Sequence, residues 1–205
     1  MPRKRKTLII FTRFPEPGST KTRLIPVLGP EGAASLQRRM AEQAVGQAQA
    51  FCGRHGVDLE IHFQGGGQTA MRHWLGPQCF REQAAGTIGE RMEQTFSRAF
   101  AEGRGQVVII GTDIPGLDQE ILLQAFTMLG KNDLVLGPAM DGGYYLIGLT
   151  GPAPALFREI AWGTPVVLRQ TLDKARDMKV CQLATLHDID RPEDLAHFDC
   201  YPNPE

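Results

Sequence analysis

The sequence predicts an α/β protein built as a three-layer sandwich around a mostly parallel sheet. Two short apolar runs, TLIIF at 7–11 and VVII at 107–110, end at loop-forming residues, which is typical of buried strands. Helical stretches separate most of the predicted strands, and this alternation favours a sheet covered by helices on both faces. The interval between the predicted strands 133–136 and 143–149 is too short for a helix, so we expect one antiparallel strand.

The other elements are predicted from local signals. Residues 30–51 are rich in Ala, Gln, Met and Leu, with Pro30 suited to the first turn of a helix. The alternating stretch 57–64 predicts a strand, and the glycines that follow it predict a turn at 65–67. Asp118 is a suitable N-cap for the helix that follows. The remaining predictions are helices over 89–102, 165–178 and 192–198 and a strand over 180–186.

The composition is that of one globular domain spanning residues 1–205, with 42% hydrophobic and 22% charged residues. A formal net charge of −1 gives no bulk attraction to nucleic acid or to an anionic membrane, so we expect neither as a partner. No stretch reaches the length of a transmembrane helix, and MPRKRK at 1–6 is expected to be a disordered basic tail. Scattered cysteines without a C-x-x-C pair favour a reduced, cytoplasmic protein, and a homodimer is left open.

The loop after the first strand has the residues of a phosphate-binding loop. In FTRFPEPGSTKTRL, residues 11–24, two prolines and Gly18 stiffen the chain between the cations Arg13, Lys21 and Arg23. Free backbone N–H groups and cations at the carboxyl end of a strand suit a phosphate chain. Neither a G-x-G-x-x-G pattern nor a P-loop is present, and a solvated surface loop is the alternative interpretation.

A carboxylate follows the strand at 107–110. In GTDIPGL, Asp113 stands where parallel α/β sheets bind their ligands, and a carboxylate there can hold a divalent cation that bridges phosphate oxygens. The alternative is that Asp113 caps a turn or a helix. Asp118 is already the predicted N-cap of the following helix, so Asp113 is not needed to cap it.

A second acidic turn lies in GPAMDGGYYLIGL, residues 137–149. Gly142 and Gly143, directly after Asp141, allow a ligand to approach the backbone closely, and we assign them to nucleotide or phosphate binding. Asp141-Gly142 also suits a plain hairpin turn. Tyr144 and Tyr145 point to opposite faces of a strand, so we expect at most one of them to face a pocket. Tyr144 is the one we assign to an acceptor or sugar loop.

Two further segments complete the candidate site. In HDIDRPEDL, Asp188 and Asp190 alternate and share one side of the chain, where paired carboxylates need a cation or a proton between them. Asp190 could instead cap a helix, with Glu193 completing a capping box. In AWGT, Trp162 beside Thr164 could stack on a sugar or a base, although a lone Trp is more often part of the core.

These motifs, in this order, resemble a bacterial family of GT-A-like nucleotide-diphospho-sugar transferases, formerly a domain of unknown function and known as arsenosugar-biosynthesis-type glycosyltransferases. The resemblance runs from residue 8 to about residue 195 and also includes GERMEQTF at 89–96. It implies a fold related to molybdenum-cofactor nucleotidyltransferases and phospholactate guanylyltransferases. It further implies that Asp113 and Asp190, with Asp188 beside them, bind Mg²⁺ or Mn²⁺, and that Lys21 and Arg23 contact phosphates.

The function expected first is metal-dependent glycosyl transfer from a nucleotide-diphospho-sugar to a small-molecule acceptor. The close alternative is a nucleotidyltransferase that uses a nucleoside triphosphate and releases pyrophosphate, which the cations of the first loop mildly favour. A non-catalytic nucleotide-binding protein is the third hypothesis, and the joint presence of carboxylates and a basic loop speaks against it. Asp113 is expected to act in catalysis, and Asp141 is the candidate for the catalytic base.

Overall fold

The computed structural model of the protein describes residues 5–197 and has a seven-stranded sheet at its centre. The strand order is β3-β2-β1-β4-β6-β5-β7. Strand β6 runs antiparallel to both of its neighbours, and the other pairings are parallel. The antiparallel strand expected from the sequence is therefore confirmed. The strands are β1 (Arg5–Arg13), β2 (Asp58–Gln64), β3 (Phe80–Glu82), β4 (Arg104–Ile110), β5 (Leu134–Pro138), β6 (Tyr144–Leu149) and β7 (Val180–Gln182).

Helices cover both faces of the sheet, which confirms the three-layer sandwich. The helices are α1 (Ile25–His55), α2 (Gly67–Leu75), α3 (Ile88–Ala101), α4 (Gln119–Met128) and α5 (Val167–Lys174), with 3-10 helices at Thr22–Leu24, Pro154–Phe157 and Pro192–His197. Alternate residues of a strand point to opposite faces. Accordingly, Leu8 and Ile10 of β1 pack in the core cluster that includes side chains of α1, α2 and α4, and Ile9 packs in the cluster on the α3 side.

Two predicted helix starts match the structure. Gly29 is non-helical (φ 69°), so the uninterrupted part of α1 begins at Pro30, where the sequence predicts it. Asp118 caps α4, because its Oδ1 accepts a hydrogen bond from the backbone N–H of Ile121 at 2.9 Å.

The structure also differs from the sequence predictions. Helix α2 begins within the predicted glycine turn, and strand β3 was not predicted. Arg5 and Lys6, expected in a disordered tail, belong to β1, whereas residues 1–4 and 198–205 lie outside the described residues. The helix predicted over 165–178 is the shorter α5, and the helix predicted over 192–198 is a 3-10 helix.

The predicted strand 180–186 is also shorter than expected. Strand β7 ends at Gln182, and the chain bulges away before Leu186 forms an isolated bridge with Ala139. The carbonyl of Ala184, within the bulge, accepts a hydrogen bond from the hydroxyl of Tyr145 at 3.0 Å.

A buried ionic network lies on β2, on the side of the sheet covered by α3. The Glu60 carboxylate contacts the Nε2 of His62, the Nε of Arg81 and the Nη2 of Arg104, each at 3.1 Å. The hydrogen bond from His62 and the neighbouring arginines lower the pKa of Glu60 to about 2, against the opposing effect of burial. Burial lowers the pKa of His62, whose Nε2 lies 3.1 Å from Oε2 of Glu60.

No helix within residues 5–197 is both long enough and apolar enough to cross a membrane.

Candidate active site

The sheet brings three distant segments to one edge. Strands β1 and β4 are parallel neighbours, so the loops that follow them leave the sheet side by side. The first loop carries Lys21, and the second carries Asp113. The segment 187–191 contacts both loops: the carbonyl of Ile189 accepts from Lys21, and its N–H donates to the backbone carbonyl of Asp113 at 3.0 Å. Residues far apart in the sequence therefore form one site.

Lys21 is the central cation of this site. Its Nζ lies 2.5 Å from the carbonyl oxygen of Ile189, 3.0 Å from Oδ2 of Asp113 and 3.6 Å from Oδ1 of Asp190. Its side chain is only 4% exposed, and its backbone is left-handed with φ 49°. A non-glycine residue takes this conformation only when its surroundings compensate. The three oxygens around Nζ supply that compensation.

Arg23 neutralises the other oxygen of the same carboxylate. Its Nη1 forms an ion pair with Oδ2 of Asp190, and its side chain is 59% exposed. Arg13 is also exposed and is held at the loop by hydrogen bonds to the carbonyl of Ser19 at 3.3 Å and to Oε1 of Gln64 at 3.4 Å. The three cations of the first loop therefore lie together, as the sequence predicted.

Arg91 adds a cation that the sequence reasoning missed. It lies on α3, and its Nη1 donates to Oε1 of Gln83 at 2.6 Å. The Nε2 of Gln83 in turn donates to the carbonyls of Thr12 and His62, at 3.2 and 2.9 Å. Burial and the positive charge of Arg13 lower the pKa of Arg91. Arg91 belongs to GERMEQTF, a motif that contributed to the family resemblance but whose residues were given no function. The motif could therefore have pointed to Arg91.

These cations line a cavity of about 520 Å³, which we call the basic cleft. Its acidic members are Asp113 and Asp190, at the side where Lys21 lies. Gln37, buried on α1, holds the floor of the cleft through a hydrogen bond to Oγ1 of Thr112 at 3.1 Å. The cations that line the cleft are Arg13, Lys21, Arg23 and Arg91.

A second cavity of about 310 Å³ adjoins the basic cleft, and we call it the acidic pocket. Asp113 and Asp190 line both cavities and so mark the boundary between them. None of the described residues that line the acidic pocket is a lysine, arginine or histidine. The pocket has four carboxylates and an apolar wall, formed by Asp113, Asp141, Asp188, Asp190, Ile88, Met92, Tyr144 and Trp162.

Asp141 lies at the rim of the acidic pocket and also forms a hairpin turn, as the alternative interpretation proposed. Its Oδ1 accepts from the N–H of Gly143 at 2.8 Å, and the N–H of Gly142 donates to the carbonyl of Ala139 at 3.1 Å. Gly142 has φ 86°, and a Cβ there would clash with the backbone of Pro165. Gly143 lines the acidic pocket, whereas Gly142 lines neither cavity.

Gly18 also lines neither cavity. It is exposed, with φ 81° and open space around the position of a Cβ. Gly18 allows the first loop to turn, because it adopts a positive φ. The same loop is held by the hydroxyl of Thr20, which accepts a hydrogen bond from the N–H of Glu16 at 3.2 Å.

Asp188 and Asp190 both reach the acidic pocket. Burial, and then the negative charge of Asp141, raises the pKa of half-buried Asp188. Asp190 is not the helix cap that the alternative interpretation proposed. Its carboxylate pairs with Lys21 and Arg23, while Oδ2 of Asp194 accepts from the backbone N–H groups of Asp190 and Arg191, at 3.0 and 2.7 Å.

Trp162 and Tyr144 form the aromatic wall of the acidic pocket. Their ring centroids are 6.3 Å apart and the rings are nearly perpendicular, at 81°. A Cβ at Gly89 on α3 would clash with the indole of Trp162, so this glycine permits close packing. Burial raises the pKa of Tyr144. Thr164 is exposed at the same pocket, and its hydroxyl donates to the carbonyl of Ala161 at 2.7 Å.

A divalent cation would find two carboxylates here. Within residues 5–197 there is no cluster of three or more His, Cys, Asp or Glu that could hold a metal ion. Mg²⁺, however, is commonly bound through one or two carboxylates together with substrate phosphates and water. Asp113 and Asp190 meet that requirement beside a cation-lined cleft, and Lys21 at present neutralises both of them.

Comparisons with known proteins agree with this architecture. Residues 47–164 match a family described as "Uncharacterized protein conserved in bacteria (DUF2064)". The chain belongs to the DUF2064 family. It is 33% identical to a protein from Desulfovibrio desulfuricans G20 that is described as a candidate nucleotide-diphospho-sugar transferase. That match has a TM-score of 0.89 and covers 99% of this chain and 90% of the other. No curated protein is similar enough to count as a match.

More distant solved structures share the fold of this DUF2064 protein. The 4-diphosphocytidyl-2C-methyl-D-erythritol synthase of Anaerococcus prevotii is 12% identical, with a TM-score of 0.60 and coverage of 94% of both chains. The inositol-1-phosphate CTP transferase of T. maritima is 14% identical, with a TM-score of 0.56 and coverage of 95% of this chain and 93% of that one. The fold is therefore the nucleotide-diphospho-sugar transferase fold that the sequence resemblance implied.

Proposed function

We propose that this DUF2064 protein transfers a glycosyl group from a nucleotide-diphospho-sugar to a small acceptor, assisted by Mg²⁺ or Mn²⁺. The observation that supports this most is the meeting of two cavities of opposite charge at Asp113 and Asp190. A donor with its diphosphate in the basic cleft would place its sugar at that boundary. The description of the relative from Desulfovibrio desulfuricans G20 supports the same class of donor.

In this proposal, Arg13, Lys21 and Arg23 bind the diphosphate of the donor. Asp113 and Asp190 hold the divalent cation, which when bound neutralises charge on the departing nucleoside diphosphate. The acceptor hydroxyl forms a bond to the anomeric carbon. The bond from that carbon to the diphosphate oxygen breaks, and its electron pair leaves with the nucleoside diphosphate.

Asp141 is the proposed base for the acceptor hydroxyl. It lies at the rim of the acidic pocket, and its carboxylate is exposed, so an acceptor in the pocket can reach it. A general base must lie within hydrogen-bond reach of the proton that it accepts. The proton of the hydroxyl would pass to Asp141 as the new bond to the sugar forms.

Nucleotidyl transfer from a nucleoside triphosphate is the second candidate, and Arg91 is the observation that favours it. Arg91 is an additional cation in the basic cleft beyond the three of the first loop. A triphosphate carries more negative charge than a diphosphate bound to a sugar, so it would use this cation more fully. The two reactions differ in what they release: nucleoside diphosphate in the first, pyrophosphate in the second.

The test is to identify the leaving group. The purified protein would be incubated with Mg²⁺ or Mn²⁺ and with nucleotide-sugars or nucleoside triphosphates, with a crude cell extract as the source of acceptors. We expect nucleoside diphosphate from one nucleotide-sugar. The Asp113→Ala variant should lose this release, whereas Asp177→Ala, which removes an exposed carboxylate outside both cavities, should keep it.

Two outcomes would overturn the proposal. Pyrophosphate released by the intact protein, and not by Asp113→Ala, would make the protein a nucleotidyltransferase. Metal-dependent nucleotide binding without release of either product, from any donor, would favour a non-catalytic nucleotide-binding protein. If Asp113→Ala bound nucleotide and metal as the intact protein does, the assignment of the site itself would be wrong.

A further inference from the structure

The charges of the two cavities are strongly segregated. All four cations of the site line the basic cleft, and none of the described residues that line the acidic pocket is basic. Of the carboxylates in the pocket, Asp113 and Asp190 already face Lys21 and Arg23 across the boundary. Asp141 and Asp188 line only the acidic pocket, and no basic side chain within residues 5–197 is among the lining residues of that pocket, so this part of the site is negative.

From this segregation we infer that the acidic pocket binds an uncharged, sugar-like alcohol and excludes phosphorylated acceptors. This inference rests on the proposed function, because it identifies the acceptor of that reaction. A phosphate group in the pocket would face Asp141 and Asp188, and no lysine, arginine or histidine among the described lining residues would offset the repulsion at these two carboxylates. In the part of the chain that the structure describes, the residues that line the acidic pocket include no cluster of cations like the one that lines the basic cleft.

The hydrogen-bonding groups of the pocket support the same class of acceptor. Ionised carboxylates only accept hydrogen bonds, so the ligand must donate, and hydroxyl groups do. Two donors beside the pocket are already in use: the N–H of Gly143 binds Asp141, and the hydroxyl of Thr164 binds the carbonyl of Ala161. A phosphate offers mainly acceptors and would therefore be mismatched with the carboxylates in hydrogen bonding as well as in charge.

Shape and size point to a ligand with an apolar face. The rings of Tyr144 and Trp162, together with Ile88 and Met92, give the pocket a wall on which the C–H face of a sugar ring can pack. The volume of about 310 Å³ lies at the lower end of the range for small-molecule sites. The pocket therefore suits one sugar-sized unit rather than an extended chain.

Trp162 allows binding to be measured without turnover. The chain has two tryptophans, and Trp74 lies elsewhere, with its Nε1 donating to Glu42. In a Trp74→Phe background, the emission of Trp162 reports on the acidic pocket. The probes are neutral methyl glycosides of glucose, galactose and mannose, and the corresponding 6-phosphates of the free sugars. We expect at least one neutral sugar to bind about tenfold more tightly than its phosphate.

A charge-reversal variant tests the cause of that preference. Asp141→Lys should shift the preference at least about tenfold towards the phosphorylated sugar, because it places a cation at the rim of the pocket. Asp141→Asn, which keeps the size of the side chain, should shift it less. Asp177→Lys makes the same change of charge outside both cavities and should leave the preference unchanged. Circular dichroism of each variant establishes that it is folded.

The two proposals fail in different ways. Equal or tighter binding of the phosphates, or no response of Trp162 to any neutral sugar, would overturn the acceptor assignment even if a nucleotide-sugar donor releases nucleoside diphosphate. Conversely, selective binding of a neutral sugar without release of nucleoside diphosphate from any donor would uphold the class of ligand assigned to the acidic pocket and overturn glycosyl transfer.

Discussion

The ammonium nitrogen of Lys21 lies 3.0 Å from Oδ2 of Asp113 and uses the carboxylate oxygens that a divalent cation would need. The same nitrogen lies 3.6 Å from Asp190. Lys21 and a metal ion would compete for these carboxylate oxygens, so the presence of one should weaken the binding of the other. Phosphates entering the basic cleft would compete with the carboxylates for Lys21.

Replacing Lys21 by Met should therefore strengthen metal binding in the absence of nucleotide. We expect Lys21→Met to bind Mn²⁺ roughly tenfold more tightly than the wild type, because the competing charge is gone. Electron paramagnetic resonance of free Mn²⁺ measures this directly. The control is Arg23→Met, which removes a more exposed cation that contacts only Asp190, and should strengthen Mn²⁺ binding less. Equal affinity in Lys21→Met and the wild type would mean that lysine and metal occupy different positions.

Replacing Arg91 by Met should weaken donor binding. Arg91 faces the basic cleft and is held by Gln83, so the variant should raise the KM for the donor about tenfold with a smaller change in kcat. Steady-state kinetics with varied donor concentration measure the effect. Arg54→Met, at the exposed end of α1, is the matched control and should have the KM of the wild type. An unchanged KM in Arg91→Met would remove Arg91 from the phosphate site.

Gly89 should matter for the acceptor rather than for the donor. The methyl group of Gly89→Ala would clash with the indole of Trp162 and displace part of the pocket wall. We expect a several-fold higher KM for the acceptor and an unchanged KM for the donor. Gly46→Ala is the control, because it lies on α1 with open space at the Cβ, and should stabilise the protein by about 0.5–1 kcal/mol. A donor KM that rises with the acceptor KM would contradict separate cavities.

The Glu60 network should make stability depend on pH. The pKa of Glu60 is lowered to about 2 in the folded protein, so its contribution to the free energy of unfolding is complete above pH 4.5 and lost as the pH falls towards 2. The lowered pKa of His62 acts in the same direction, because the unfolded chain takes up that proton first as the pH falls below 6.5. Glu60→Gln should cost about 3 kcal/mol at pH 7, since it leaves Arg81, Arg98 and Arg104 partly unpaired.

Urea unfolding at pH 7 and pH 4 checks the Glu60 prediction. The difference in unfolding free energy between the wild type and Glu60→Gln should narrow at the lower pH, where the wild type begins to lose the same interaction. Glu159→Gln, which removes an exposed partner of Lys174, should behave as the wild type at both pH values. A constant difference would show that Glu60 contributes by packing and not by charge.

Local patterns were enough to predict the sandwich, the antiparallel strand and the cap at Asp118. Each of these depends on residues close in sequence: alternating apolar side chains in a strand, a short interval that excludes a helix, or a carboxylate directly before a helix. The three loop cations and Asp113 were also proposed as site residues in this way, because each follows a recognisable strand. The short elements α2 and β3 gave no comparable signal.

The sequence by itself determined which residue types stand at the ends of the strands, and the tertiary structure decided how they pair. Lys21 and Ile189 are 168 positions apart in the sequence, yet they form a hydrogen bond at the centre of the site. Gln83 and Arg91 reach the basic cleft only because β3 joins the sheet beside β2 and α3 packs against the opposite face from α1. The carboxylate of Asp190 pairs with Lys21 and Arg23 because the loop after β1 lies beside it. The periodicity of apolar residues predicts which side chains of a strand or helix are buried. Where a charged side chain lies relative to another depends on which strands become neighbours in the sheet.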